Sequence, residues 1–207
     1  AITALAAAGI GTLTVVDDDH VDLSNLQRQT LFGTADIGRA KVDVAREAVA
    51  RLNPHVAVTA VAARIDTVNV DALLSEHDLV LDGCDNFATR LMVSDWSVGA
   101  RVPLVSAAIG QFQAQIGVFR GWRTDEPCYR CFVGDAFDAE DCDSCAEQGV
   151  LGAMTGLVGH WAALEVIRAL TGFGPASGGR LHLFDGVTPA MRTIRIAKDA
   201  TCRACSG

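Results

Sequence analysis

The apolar and polar positions in the first half of the chain predict strands and helices in alternation. Short apolar runs at Thr12–Val16 and residues 78–82 are typical of buried parallel strands, and residues 56–61 are β-branched enough for another. Between them, Lys41–Leu52 repeats apolar residues every three to four positions, which predicts one face of a helix. This alternation predicts an α/β fold with a mostly parallel sheet and right-handed crossovers.

The pattern changes after residue 111. Gln113–Phe119, residues 180–184 and residues 191–196 read as strands without helices between them, so the sheet is expected to continue antiparallel. Residues 150–170 form a long apolar segment that contains three charged or titratable residues, which a bilayer would penalise, so we interpret it as a buried helix. The fold class is therefore α/β, a Rossmann-like doubly wound sheet continued by antiparallel strands.

The first nine residues look like the second half of a helix that ends at Gly9. A doubly wound domain places a strand and a Gly-rich turn before such a helix. We therefore expect residues 1–207 to form a single domain that lacks its first strand and Gly-rich loop as given.

Composition and charge narrow the function classes. The chain has 207 residues, 50% of them apolar, and a formal net charge of −8. Acidic charge without clustered Lys and Arg argues against a nucleic-acid partner or an anionic membrane. No charged segment followed by an apolar stretch opens the sequence, so secretion is not indicated and a cytoplasmic location is expected.

Asp17 follows the predicted strand Thr12–Val16 directly. An acidic residue at this place in a nucleotide-binding unit commonly accepts hydrogen bonds from ribose hydroxyls. The alternative is a helix cap or a solvated turn carboxylate. Its neighbours Asp18 and Asp19 are expected to be solvated only.

Two cations, Arg28 and Lys41, follow in a loop and at a helix start. Phosphoryl or adenylyl transfer builds charge on phosphate, which fixed cations stabilise. Taken alone, each would be an ordinary surface cation. The polar residues Ser24 and Asn25 in the same loop strengthen the interpretation as a phosphate site.

A second strand end carries Asp82, Asp85 and Asn86. A carboxylate there could hold Mg²⁺, which takes one or two protein carboxylates together with substrate phosphates and water. The alternative is that Asp85 or Asn86 caps the following helix.

Six of the seven cysteines lie in three Cys-x-x-Cys pairs. The pairs Cys128/Cys131 and Cys202/Cys205 would supply four thiolates for a tetrahedral structural Zn²⁺ that clasps a mid-chain loop to the C-terminal segment. A redox pair is the alternative, and Cys142/Cys145 could instead supply half of the zinc site. Cys145 is also a candidate nucleophile.

Taken in order, these residues resemble the ubiquitin-activating-enzyme-like adenylyltransferases of the MoeB/ThiF/HesA type. The resemblance covers nearly the whole chain. It rests on segments 15–17, 23–29, 38–42, 53–54, 78–86, 103–105, 126–131, 145–150, 163–167 and 202–205.

The resemblance implies an enzyme that uses ATP and Mg²⁺ to adenylate the C-terminal glycine of a small ubiquitin-like sulfur-carrier protein. The carrier would be the molybdopterin-synthase small subunit or the thiamin sulfur carrier. It also implies a homodimer and a separate sulfur donor. The residue roles it implies are ribose contact by Asp17, phosphate contacts by Ser24, Asn25, Arg28 and Lys41, Mg²⁺ at Asp85 beside Asn86, structural zinc at Cys128, Cys131, Cys202 and Cys205, and an adduct-forming thiol at Cys145.

Two other function classes compete with adenylation. One is a nicotinamide-dependent oxidoreductase, because Asp17 would also suit ribose there, but a zinc clasp with Arg28 and Lys41 would then be unexplained. The other is a non-catalytic, zinc-stabilised module that binds a ubiquitin-like partner.

Overall fold

The helices and strands follow the predicted order. The computed structural model describes residues 1–134 and 149–206. The helices are α1 (Ile2–Ala7), α2 (Lys41–Leu52), α3 (Val70–Leu74), α4 (Phe87–Ala100), α5 (Tyr129–Val133) and α6 (Gly152–Thr171). The strands are β1 (Thr12–Val16), β2 (Ala57–Val61), β3 (Val80–Asp82), β4 (Leu104–Ile109), β5 (Gln113–Phe119), β6 (Arg180–Asp185) and β7 (Ala190–Arg195).

The strands form two sheets. β1 and β2 pair in parallel as a two-stranded sheet, and the other five strands form a second sheet in the order β3-β4-β5-β6-β7. β3 and β4 are parallel, whereas β4, β5, β6 and β7 pair antiparallel with their neighbours. The predicted change from parallel to antiparallel pairing is confirmed, and it falls after β4.

Helices cover both faces of the five-stranded sheet. Alternate residues of a strand point to opposite faces. Val105 of β4 packs in a cluster with Val158 and Val166 of α6, while its neighbour Leu104 packs with Leu91 of α4 in a second cluster. This is the layer arrangement of a doubly wound α/β domain.

Glycines allow α6 to approach the chain segments beside it. A Cβ atom at Gly152 would lie 2.0 Å from the carbonyl oxygen of Gln27, and one at Gly159 would lie 2.8 Å from the nitrogen of Ala1. Both segments therefore approach α6 more closely than any residue with a side chain would allow at these two positions. At Gly156 an added Cβ would meet nothing within 4 Å.

The predicted burial of α6 holds for one face of the helix, whereas Leu157, Leu164 and Leu170 are exposed. Its Glu165 is 1% exposed and is paired with Arg168 on the next turn, with Nη1 to Oε1 at 2.6 Å. Among the described residues, no helix has the length and apolar character needed to cross a bilayer.

Candidate functional site

Asp17 lies at the carboxyl end of β1 and is half-buried. Its backbone N–H donates to the carbonyl of Val61 at 3.2 Å, and its Oδ1 accepts a hydrogen bond from the Asp19 backbone at 2.9 Å. Burial raises the pKa of Asp17, while the charge of Lys41 opposes that rise. The carboxylate oxygens of Asp17 and Asp19 lie within 4.8 Å of each other, and Asp19 is the ion-pair partner of Lys41.

Lys41 is the first residue of α2 and is buried. It is 8% exposed, and its Nζ lies 2.7 Å from Oδ2 of Asp19. The backbone supports this pair, since the Lys41 N–H donates to the Asp19 carbonyl at 3.0 Å. The expectation that Asp19 is only solvated was wrong: its carboxylate is 66% exposed but is the ion-pair partner of the buried lysine.

Ser24, Asn25 and Arg28 lie in one loop. A short 3-10 turn, Leu23–Asn25, is capped by Asp22, whose Oδ1 accepts from the Ser24 N–H at 2.8 Å. Arg28 folds back over this turn and donates from Nη1 to the Ser24 carbonyl at 3.0 Å. The three polar residues predicted from the sequence are therefore held together by local hydrogen bonds.

This loop is anchored on the first turn of α6. Thr155 donates from Oγ1 to the Arg28 carbonyl at 2.6 Å, and Gln27 donates from Nε2 to the Val150 carbonyl at 3.3 Å. The missing side chain of Gly152 leaves room for the Gln27 carbonyl. The position of the loop thus depends on α6, which lies more than a hundred residues further along the chain.

The end of β3 forms a third group. Asp82 is 4% exposed, and its Oδ2 lies 3.3 Å from Nη1 of Arg90, which is 5% exposed. Asn86 caps α4, accepting from the Thr89 N–H at 2.8 Å, so the capping alternative holds for Asn86. Asp85 stands between them with an exposed side chain, free of the buried ion pair that occupies Asp82.

The four predicted zinc ligands form one cluster. The Sγ atoms of Cys128, Cys131, Cys202 and Cys205 lie within 4.8 Å of one another. The measured sulfur separations include 3.7 Å for 128 to 131, 3.5 Å for 128 to 202 and 3.4 Å for 131 to 205. Zinc at about 2.3 Å from each of four tetrahedral sulfurs would set them about 3.8 Å apart, so the cluster fits Zn²⁺ closely.

Neighbouring contacts hold the two halves of this clasp in place. Lys198 donates from Nζ to the carbonyls of Gly121 and Arg123 at 2.7 and 2.8 Å, which fixes the C-terminal segment to the loop before α5. Burial raises the pKa of Cys205 to about 11. Without metal that thiol would therefore be protonated at neutral pH, and metal binding would release a proton.

Cys145 and its partner Cys142 lie outside the described residues. The structure therefore leaves the nucleophile hypothesis for Cys145 as a prediction. The sequence did not predict two residues that form ion pairs at the candidate site, namely Asp19 and Arg90. For Arg90 the available signal was a lone charge among apolar residues on the first turns of a helix that follows a strand end.

The fold and the site together define the class: an α/β domain with polar groups at the carboxyl ends of two parallel strands and a four-cysteine cluster suited to a metal. The family model for the ThiF family matches residues 1–204. The chain belongs to the ThiF family.

Named relatives agree with that assignment. The chain is 42% identical over 201 residues to the molybdopterin-synthase adenylyltransferase of Escherichia coli strain K12, covering 97% of this chain and 80% of the relative. It is 38% identical over 204 residues to the sulfur carrier protein adenylyltransferase of Thermus thermophilus, covering 97% and 75%. The crystal structure of Escherichia coli MccB with MccA-N7isoASN superposes with a TM-score of 0.85 at 19% identity, covering 100% of this chain and 63% of that chain, and shares the fold.

Proposed function

We propose that this protein is an adenylyltransferase that uses ATP to activate the C-terminal glycine of a small ubiquitin-like sulfur-carrier protein. Family membership supports the proposal, as do relatives at about 40% identity whose names are molybdopterin-synthase adenylyltransferase and sulfur carrier protein adenylyltransferase. Residues 1–207 would act as a single adenylyltransferase domain.

The observation that carries this proposal is a buried cation beside a half-buried carboxylate at a strand end. Lys41 is 8% exposed and lies 2.7 Å from the carboxylate of Asp19, whose backbone N–H donates to Asp17. Ligands of open α/β sheets bind at the carboxyl ends of the strands. In the proposed complex Asp17 accepts hydrogen bonds from the ribose, while Lys41 and Arg28, with Ser24 and Asn25, contact the phosphates.

The reaction joins two anions, and the site is suited to that task. The glycine carboxylate attacks the α-phosphorus, a new O–P bond forms, the bond to the β-phosphate breaks and pyrophosphate leaves. The carboxylate is ionised at neutral pH and needs no general base. Fixed cations such as Lys41 and Arg28 lower the barrier by stabilising charge that builds up on the phosphates.

Asp85, with Asn86 beside it, is the proposed holder of Mg²⁺. Its carboxylate is exposed at the end of β3, and the cation would need only one or two such ligands beside phosphate and water. When bound, Mg²⁺ would supply positive charge to the phosphates. The four cysteines of the clasp would hold structural Zn²⁺, for which their sulfur separations are suitable.

The proposal also covers assembly, partners and location. The protein would form a homodimer, would depend on a separate protein as sulfur donor, and would act in the cytoplasm. The thiol of Cys145 would act after adenylation, on the activated carrier, and would have no part in the first step.

Pyrophosphate exchange into ATP tests the function. We expect exchange that requires both Mg²⁺ and a carrier ending in Gly-Gly. Without the carrier no adenylate forms, so labelled pyrophosphate has nothing to convert back to ATP. Asp85→Ala should abolish exchange through loss of the metal ligand, while Cys145→Ala should leave it intact. Absence of carrier-dependent exchange in the full-length protein would refute the proposal, and loss of exchange in a folded Cys145→Ala variant would contradict the order of steps.

A further inference from the structure

Arg90 makes more contacts than a simple ion pair needs. Its guanidinium donates from Nη1 to Asp82 and to Oγ of Ser106 at 3.1 Å, and from Nη2 to the carbonyls of Cys84 and of Ala107, the latter at 3.1 Å. Five N–H donors in a planar fork allow an arginine to reach several acceptors at fixed angles. One side chain of α4 therefore ties together β3, β4 and the turn that follows β3.

That turn is held from two sides. The Cys84 N–H donates to Oδ1 of Asp82 at 2.9 Å, and the Cys84 carbonyl accepts from Arg90. The residue after Asp85 is fixed as well, because Asn86 caps α4. Asp85 thus carries an exposed carboxylate between two residues that are held by hydrogen bonds, Cys84 through its backbone and Asn86 through its side chain.

We propose that Arg90 is a positioning residue for Asp85: its clamp on Asp82 and on the Cys84 carbonyl sets where the Asp85 carboxylate stands. The inference rests on the proposed function, in which Asp85 holds Mg²⁺. Arg90 itself is 5% exposed and is engaged by protein acceptors, so it acts on the reaction through the turn, without touching the nucleotide.

Lysine cannot replace this arginine fully. An ammonium group is a point charge that could keep the attraction to Asp82, but it lacks the planar fork that reaches Ser106, Cys84 and Ala107 together. Arg90→Lys should therefore leave the protein folded but shift the turn that contains Cys84 and Asp85. Arg90→Gln would leave Asp82 buried without its charge partner, and the pair Asp82→Asn with Arg90→Gln removes both charges at once.

The experiment measures the Mg²⁺ concentration that gives half-maximal carrier-dependent pyrophosphate exchange in the full-length protein. We expect it to rise at least tenfold in Arg90→Lys and in the Asp82→Asn/Arg90→Gln double variant, while zinc content and binding of ATP measured without Mg²⁺ stay within threefold of wild type. Arg46→Gln, which removes an exposed arginine paired with Asp43 on α2, is the matched control and should keep the wild-type Mg²⁺ response.

The outcomes separate this inference from the proposed function. If the wild-type protein shows no Mg²⁺-dependent exchange, the proposed function fails. If wild type is active and Asp85→Asn loses the activity, but both Arg90 variants keep the wild-type Mg²⁺ response, the positioning role is overturned while the function stands. A uniform loss of rate at every Mg²⁺ concentration would also overturn it, since that result indicates damage other than a displaced metal ligand.

Discussion

At the scale of single residues, Lys41 is a charged side chain that is buried at the candidate site. A lysine that is 8% exposed gives up most of its hydration, and the Asp19 carboxylate at 2.7 Å offsets part of that cost. Because Asp19 is itself 66% exposed, the pair contributes little to stability. In the proposed complex the buried cation would instead contact a phosphate of ATP.

Replacement of Lys41 tests that explanation. Lys41→Met should reduce carrier-dependent pyrophosphate exchange by roughly 100-fold, the effect of removing one group that stabilises the transition state, with little change in unfolding free energy. Asp19→Asn is the matched control and should keep exchange within about threefold of wild type, because it removes only the exposed partner. Equal losses in both variants would mean that the ion pair, rather than the cation, matters.

The sequence was informative about residues whose position in the fold follows from a local pattern. Asp17 and Lys41 could be predicted because a strand end and a helix start are visible in the apolar periodicity. The partners Asp19 and Arg90 could not, because each depends on how a loop or a helix docks against another segment. The ion pair of Asp82 with Arg90 could not be predicted either, because it depends on how helix α4 packs against the end of β3.

At the scale of elements, the loop with Ser24, Asn25 and Arg28 depends on helix α6. The helix starts with a glycine at the contact, so Gly152→Ala would push a Cβ atom to within 2.0 Å of the Gln27 carbonyl. We expect the free energy of unfolding to fall by roughly 1–3 kcal/mol, the usual cost of overpacking. We also expect weaker ATP binding, because the substitution would displace the loop that is proposed to contact the phosphates.

The same helix provides the control for this substitution. Gly156→Ala meets open space and should stabilise the helix by roughly 0.5–1 kcal/mol, since alanine is the better helix former. Urea unfolding and ATP titration measure both variants. If Gly152→Ala binds ATP as wild type does, the loop is held by something other than this contact.

A second element-scale prediction concerns the packing of β6 against α6. A hydrogen bond of 2.8 Å joins Nδ1 of His182 and Oγ1 of Thr193, and the centre of the His182 ring lies 5.2 Å from that of Trp161. Burial lowers its pKa below the usual 6.5, with the charges of Arg168 and Arg180 acting in the same direction and Glu165 against it. The folded state therefore prefers the neutral imidazole.

The sign of the resulting pH dependence follows from proton linkage. Between the lowered pKa and 6.5 the unfolded chain binds a proton that the folded chain does not, so the His182 contribution is complete above pH 6.5 and is lost as the pH falls. His182→Gln should flatten this part of the curve of unfolding free energy against pH. The exposed His160→Gln variant should keep the wild-type slope, and an unchanged slope in His182→Gln would contradict the assignment.

Element prediction succeeded where an apolar pattern covers the whole element and failed for helix α5. α2 and β5 have the predicted bounds because their apolar spacing is continuous. Helix α5 was missed, since it has only five residues, begins directly after Cys128 and contains Cys131, so that it depends on the clasp around it.

At the scale of the whole molecule, the four-cysteine cluster joins segments 74 positions apart. Cys202→Ser should lower bound zinc from one equivalent per chain to none and reduce the unfolding free energy by roughly 2–5 kcal/mol, the range for losing a native cross-link. Metal analysis and urea unfolding measure the two effects. Cys84→Ser, which changes a half-buried cysteine outside the cluster, should keep its zinc.

The pairing of the two halves of the clasp is the least predictable part of the fold. From the residues alone, Cys142/Cys145 stayed an alternative to Cys128/Cys131, because Cys-x-x-Cys spacing fixes only one half of a site. Which halves meet is decided by the sheet, since β5, β6 and β7 return the chain to the loop before α5.

The span of the clasp has a consequence during synthesis. Cys202 leaves the ribosome 74 residues after Cys128, which at 5–20 residues per second is a delay of roughly 4–15 s. During that interval Cys128 and Cys131 are two thiols without their partners, open to oxidation and to the wrong metal. In the proposed zinc site, the four ligands could meet around the ion only after the antiparallel half of the sheet has been made.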